Sequence, residues 1–262
     1  MSILKELAAV QARGGSAALC TIIKSSGSTP RHIGSKMIVY PDGQTQGSVG
    51  GGEMESRVIE QALQVLQTGK PCLLEYSLTD PQRGDPGVCG GQLEVFVEPV
   101  TPLPTVVVVG AGHVGRAVVH LAKWLGYHVI VSDDRPEFCS PQAAPGADQY
   151  LPVPLSELPQ QINITPQTHL VLSTRNMKVD IDGLPALLET PAGYIGIIGS
   201  HRRWQTARKK LEKAGVPAAK LNRVASPMGL ELNAETPEEI ALSILAEIVM
   251  LRNGGDGERM RG

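Results

Sequence analysis

Apolar residues recur along this chain with two periods, and the pattern changes character near residue 100. Residues 3–13 carry Ile3, Leu4, Leu7, Ala8 and Val10 at helical spacing. Residues 53–67 repeat that spacing with Met54, Val58, Ala62, Leu63 and Leu66, and Gly69 stands past the end as a stop. Between and after these helices the period is that of strands. Residues 17–23 form a buried run, and residues 36–40 form a second one turned by Pro41, Asp42 and Gly43. Residues 92–98 alternate, with Leu93, Val95 and Val97 facing one way.

Residues 98–104 hold three prolines in seven positions and read as a stiff, extended linker. Beyond it, residues 105–109 (T-V-V-V-V) form the continuous apolar run of a strand buried on both faces. A helix is expected up to Leu125, with Gly126 as its stop, and a strand over residues 127–131. Further strands are expected at 169–173 and 194–198, and a helix at 201–214 ended by Gly215. Thr236, Pro237, Glu238 and Glu239 spell a capping box, with proline at the first helical position. Ile240, Ile244, Ile248 and Leu251 give that last helix its stripe. The chain is therefore expected to be α/β: a β-rich α+β domain over 1–100, a Rossmann-like doubly wound parallel sheet over 101–252, and a frayed tail over 253–262.

Composition narrows the partners. The 262 residues carry a net charge of −2 and only 3% aromatics, which argues against a nucleic-acid partner. No apolar run approaches the ~20 residues that span a bilayer, and Lys5 and Glu6 interrupt any leader-like stretch. The four cysteines form no C-x-x-C pair, so free thiols and a cytoplasmic setting are expected. Cys20 reads as core packing; Cys72 and Cys139 show no partner.

Three stretches point to anion binding. Gly110, Gly112 and Gly115 form G-x-G-x-x-G after a strong strand, and Asp133 closes the next strand. Here Gly110 would permit the turn, Gly112 the approach of a pyrophosphate, Gly115 helix–strand packing, and Asp133 a bond to a ribose diol. His113 lies in the loop, facing ligand or solvent. Asp134 and Arg135 are expected to pair at the surface. The bland alternative is a Rossmann shape without its dinucleotide. Second, Gly199 and Ser200 precede a helix that opens with Arg202 and Arg203, cations at the wrong end of a helix dipole. A bound anion, or a solvated basic face, would account for them. Third, residues 25–31, 47–52 and 85–91 are polar and glycine-bearing. Gly50, Gly51, Gly52, Gly90 and Gly91 would offer bare amides to oxyanions, Arg31 a two-point clamp, and Cys89 a loop thiolate. Glu53 and Glu55 suit the first turn of a helix.

Together these stretches make the chain resemble the XdhC/CoxI family of xanthine dehydrogenase accessory factors. The resemblance rests on G-S-T-P-R at 27–31, G-S-V-G-G-G-x-x-E at 47–55, C-G-G at 89–91 and G-A-G-H-V-G-R-A at 110–117. It continues through D-D-R-P-E at 133–137, Y-I-G-x-I-G-S at 194–200, S-P-M-G-L at 226–230 and T-P-E-E-I-A-x-S-I-L-A-E at 236–247. The resemblance implies binding of a molybdopterin-type molybdenum cofactor. It implies protection of the sulfurated form and insertion into a client molybdenum hydroxylase apoenzyme. Cys89 is then the expected molybdenum contact and Glu55 part of the cofactor site. A cysteine desulfurase and a second copy of the chain are further expected partners. Two departures stand out: Glu53 where many relatives have cysteine, and residues 174–180 (T-R-N-M-K-V-D) where many have histidine. The competing expectation is an NAD(P)-dependent oxidoreductase.

Overall fold

The computed structural model describes residues 2–78 and 90–260. The chain divides into two compact units, Met1–Pro102 and Leu103–Gly262.

The first unit runs α1 (Ile3–Ala12), β1 (Ala17–Ser26), β2 (Lys36–Val39), β3 (Thr45–Gly47), α2 (Gly52–Thr68), β4 (Cys72–Ser77) and β5 (Gln92–Val100). Its strands form one antiparallel sheet in the order β3-β2-β1-β5-β4. The alternation of β5 sends Leu93, Val95 and Val97 into a core with Ile22, Met37 and Val39. Helix α2 covers that face with Val58, Ala62 and Val65, and Gly69 ends it in a left-handed turn. The opposite face is covered by Leu7 and Val10 of α1, packed on Leu19 and Ile38.

One expectation needs correction here, and one strand is new. Residues 98–100 are strand: β5 continues through Pro99 to Val100 beside Ala18 and Ala17. Proline is tolerated because β4 pairs with β5 only as far as Val97, so the missing N–H costs no ladder bond on that side. Strand β4 went unseen because it is an edge with its Leu73 turned out to solvent.

The second unit runs β6 (Thr105–Val109), α3 (His113–Trp124), β7 (His128–Ser132), β8 (Gln149–Leu151), α4 (Leu158–Gln161), β9 (Thr168–Leu172) and α5 (Met177–Leu188). It continues with β10 (Tyr194–Ile197), α6 (His201–Lys213), α7 (Ala218–Leu221), β11 (Val224–Ala225) and α8 (Pro237–Asn253). All six strands are parallel, in the order β11-β10-β9-β6-β7-β8. The run of valines in β6 is explained by two cores. Val107 and Val109 pack with Leu184, Leu187 and Trp204 of α5 and α6. Val106 and Val108 pack with Val118, Val119, Ile244 and Ile248 of α3 and α8.

Helix α8 opens on the expected capping box: the Thr236 hydroxyl accepts from the Glu239 amide, and the Glu239 carboxylate accepts from the Thr236 amide. Helix α5 was not foreseen, because Gly183 and Pro185 sit inside it. The side chain of Asn176 caps it by accepting from the Lys178 and Val179 amides. Among the described residues no helix is long and apolar enough to cross a membrane.

Candidate functional site

In the first unit the described residues of the three glycine-bearing segments converge. A β-carbon on Gly91 would stand 2.3 Å from the Ser28 carbonyl oxygen, so residues 26–29 and 90–91 pack backbone to backbone. A β-carbon on Gly50 would meet the Pro30 ring at 3.0 Å, which brings in the second segment. Thr29 closes the first turn: its hydroxyl bonds Ser25 Oγ at 2.8 Å and donates to the Arg31 carbonyl at 3.0 Å. The Arg31 side chain is left exposed. Gly90 and Gly91 are tied to Leu78, with the Gly90 amide donating to its carbonyl at 2.7 Å. Cys89, the expected molybdenum contact, lies outside the described residues.

The loop before α2 overturns one expectation. The amides of Gly50 and Gly51 do face an oxyanion, but it is the chain's own. Glu55 Oε2 accepts from the Ser48 hydroxyl at 2.6 Å and from the Val49, Gly50 and Gly51 amides at 3.1, 3.3 and 3.0 Å. Burial alone would raise the Glu55 carboxyl; the Ser48 hydroxyl and the three amides outweigh it and hold the group below its ordinary range. Glu55 therefore staples the loop, and that cradle does not fit a ligand phosphate. Gly52 starts the helix, exposed, and Glu53 pairs with Arg57 at 2.6 Å on the surface.

The thiols sort by burial. Cys20 is fully buried, and burial, then the neighbouring Cys72 and Glu55, push its thiol up to about 12. Cys139 is buried too, its thiol donating to the Val131 carbonyl at 3.4 Å. Neither is poised as a thiolate.

In the second unit the glycine loop behaves as its spacing predicts. A β-carbon on Gly115 would stand 2.1 Å from the Gly110 carbonyl oxygen, so the start of α3 rests directly on the turn after β6. Gly110 itself is backed by Ser173, whose hydroxyl donates to the Gly110 carbonyl at 2.7 Å. Gly112 is the N-cap of α3 and no side chain caps it; His113 is exposed on the first turn.

Chain order reverses between β6 and β9, and a ligand crevice belongs outside their carboxyl ends. There the crevice is almost shut. It is lined by Val109, Gly110, Asp133, Thr174, Arg175 and Val179, among others, and its volume is about 20 Å³, room for one water.

Asp133 differs from expectation. It is buried, and its two oxygens take the Arg135 guanidinium through Nε and Nη2, both at 3.0 Å, plus the Ala111 and Arg135 amides at 3.2 and 3.1 Å. No acceptor is left facing a ribose. The expected Asp134–Arg135 pair is absent: Arg135 belongs to Asp133, and Asp134 is paired with Arg175 across the crevice. Residues 174–180 carried no foreseen role. The one signal was Asn176, a helix-capping residue before an apolar run.

The arginines at the start of α6 also split. Ser200 caps the helix, its oxygen accepting from the Arg203 amide at 3.2 Å. Arg203 turns inward across Gly199, where a β-carbon would meet its Cδ at 2.9 Å. Its Nη2 donates to Asp180 Oδ2 at 2.6 Å and to Thr174 Oγ1 at 3.3 Å, and Thr174 donates in turn to Asp180. The misplaced charge of Arg203 is thus answered by a buried aspartate, without a ligand. Arg202 stays exposed on the first turn.

A parallel sheet in this order, with a glycine turn after its first strand, defines a Rossmann domain, here accompanied by an antiparallel unit built on glycine turns. Residues 106–248 match the XdhC Rossmann domain, and residues 10–77 match the XdhC and CoxI family. The chain belongs to that family. It is 34% identical over 264 residues to the uncharacterized protein YqeB of Escherichia coli (strain K12), with 99% of this chain and 48% of that protein covered. The chain thus spans about half the length of that relative. It is 23% identical over 269 residues to the molybdenum cofactor insertion chaperone PaoD of the same bacterium, covering 91% of this chain and 84% of that one. Its fold resembles a crystal structure of a xanthine dehydrogenase from Bacillus halodurans, with a TM-score of 0.53 and 22% identity over 98% of this chain and 97% of the other.

Proposed function

We propose that this chain binds the molybdenum cofactor, guards its sulfurated form and hands it to a xanthine dehydrogenase-like or carbon monoxide dehydrogenase-like apoenzyme. Family membership and the likeness to PaoD support this. The observation that carries it is the packing of residues 26–29 against Gly90 and Gly91 beside an exposed Arg31. Arginine offers two parallel N–H donors that match a phosphate. Cys89 immediately precedes that surface in sequence and is the thiol proposed to meet the metal or its sulfur. Gly50 and Gly51 have less claim to the site than Gly90 and Gly91, since Glu55 accepts from their amides. The same reading takes a cysteine desulfurase and a second copy of the chain as partners, and the cytoplasm as the compartment.

The oxidoreductase alternative has less support, because both oxygens of Asp133 are spent on Arg135 and backbone amides. Fluorescence titration with NADH, followed by an assay for turnover, separates the two readings.

Purified protein mixed with molybdenum cofactor is expected to retain it through gel filtration, and Arg31→Ala to retain less. Complete loss of cofactor from the unsubstituted protein would falsify the assignment.

A further inference from the structure

The switch-point crevice is closed by an ion pair whose two halves come from opposite walls. Asp134 follows β7 and Arg175 follows β9. Arg175 Nη2 donates to Asp134 Oδ2 at 2.8 Å, while Nη1 donates to Oδ1. Next to it, Arg135 is fixed on Asp133 and lies over the Phe138 ring, Cζ 3.9 Å from its centroid.

The two pairs are built differently. Asp133 is 2% exposed and also holds two backbone amides, so breaking that pair would strand a buried carboxylate. Asp134 is 33% exposed and Arg175 40% exposed. Solvent screens an exchangeable pair of that kind, and it adds little to stability. A guanidinium gripped at two points by a carboxylate is equally suited to two oxygens of a phosphate. Behind the pair lies an apolar floor of Val153, Leu155 and Val179.

We propose that Arg175 is the phosphate-reading residue of the Rossmann domain, held across the crevice by Asp134 until a phosphate-bearing ligand replaces that carboxylate. The inference goes beyond the cofactor site proposed on the first unit and names a phosphate-gripping residue on the Rossmann domain. Moving Arg175 off Asp134 frees its two parallel donors for the phosphate, beside the Val153 and Val179 side chains. Selectivity then comes from phosphate, since Asp133 offers nothing to a ribose diol. The phosphate can be that of a nucleotide or that of a phosphorylated pterin.

The test compares the full chain with Asp134→Asn and Arg175→Gln. Titration calorimetry uses ADP, adenosine and molybdopterin as probes, after thermal melts show that all three proteins fold. Asp134→Asn frees Arg175 and should bind ADP or molybdopterin roughly two- to five-fold more tightly, the scale of a surface pair. Arg175→Gln should bind them at least about ten-fold more weakly, the loss of a charge-assisted two-point contact. Adenosine should not distinguish the three. Added salt should weaken ADP binding by the unsubstituted protein and by Asp134→Asn, and leave Arg175→Gln little changed.

A gain confined to ADP assigns the crevice to nucleotides, and one confined to molybdopterin assigns it to the pterin. Equal affinities for both phosphate probes in all three proteins overturn the proposal, as does undetectable binding of both by Asp134→Asn. If all three retain molybdenum cofactor equally through gel filtration and bind ADP equally, the chaperone reading survives and the Arg175 clamp falls. A clamp response to ADP in a chain that retains no cofactor is the converse.

Discussion

Glu55 Oε2 lies 3.0 Å from the Gly51 amide nitrogen and accepts its hydrogen, the last in a set of four donors that converge on one oxygen. Removing that oxygen strands the amide of buried Val49, at a cost of about 1–3 kcal/mol for a buried unsatisfied group, while the Gly50 amide keeps Ser48 Oγ at 3.2 Å. Glu55→Ala should therefore lower unfolding stability at pH 7 by roughly 2 kcal/mol, read by urea denaturation. Burial raises this carboxyl, but the hydrogen bonds lower it more, so the folded group titrates below the unfolded one. Its contribution is complete above the unfolded value and fades as pH falls through the folded one. The difference between Glu55→Ala and the unsubstituted protein should consequently shrink on acidification. A gap that stays constant down to pH 3 would remove Glu55 as the staple of this loop.

Arg203 and Asp180 form a second pair that ties α6 to α5, with the aspartate 2% exposed. Losing the arginine strands the buried Asp180 charge, which costs about 3–5 kcal/mol. Arg203→Met should be strongly destabilising by itself. The double variant Arg203→Met with Asp180→Leu should recover much of the loss, because no ion is then left unpaired. Thermal unfolding of the two single variants and the double measures the coupling; additive losses would contradict it.

His169 sits at the other end of the parallel sheet, 5% exposed, edge-on to Tyr127 with ring centroids 6.0 Å apart. Neither ring nitrogen has a partner among the described residues. Burial, and secondarily the charge of Arg252, hold the imidazole down to about 4. Between its ordinary value near 6.5 and about 4 the unfolded chain takes up a proton that the folded one refuses. Stability should then fall with falling pH in that window, by up to about 1.4 kcal/mol per unit from this residue. His169→Phe keeps the ring contact without the titration. Its melting temperature relative to the unsubstituted protein should rise as pH drops from 7 to 5, and an unchanged difference would refute the assignment.

The α/β division was legible because period and composition are local properties. The valine run at 105–109 requires a strand covered on both faces, and two separate cores provide the cover. Thr236 and Glu239 announce the start of α8 because capping joins residues three apart. Gly110 and Gly115 were legible for the same reason, the contact between them being fixed by a turn of five residues. Helix α5 was hidden: Gly183 and Pro185 lower its propensity, and only the packing of Gly183 against Leu155 makes the glycine necessary.

The amino-acid sequence by itself thus determined the main strands and helices, the glycine turns and the family signature, since each depends on residues a few positions apart. Only the tertiary structure decided where the charges go. Asp133 faces Ala111 and Arg135, Arg175 reaches Asp134 over 41 intervening steps of chain, Arg203 meets Asp180, and Glu55 fills the glycine amides meant for a ligand. Electrostatic partners are chosen by distance through space among several carboxylates and arginines of similar chemistry. A one-dimensional pattern contains no measure of that distance.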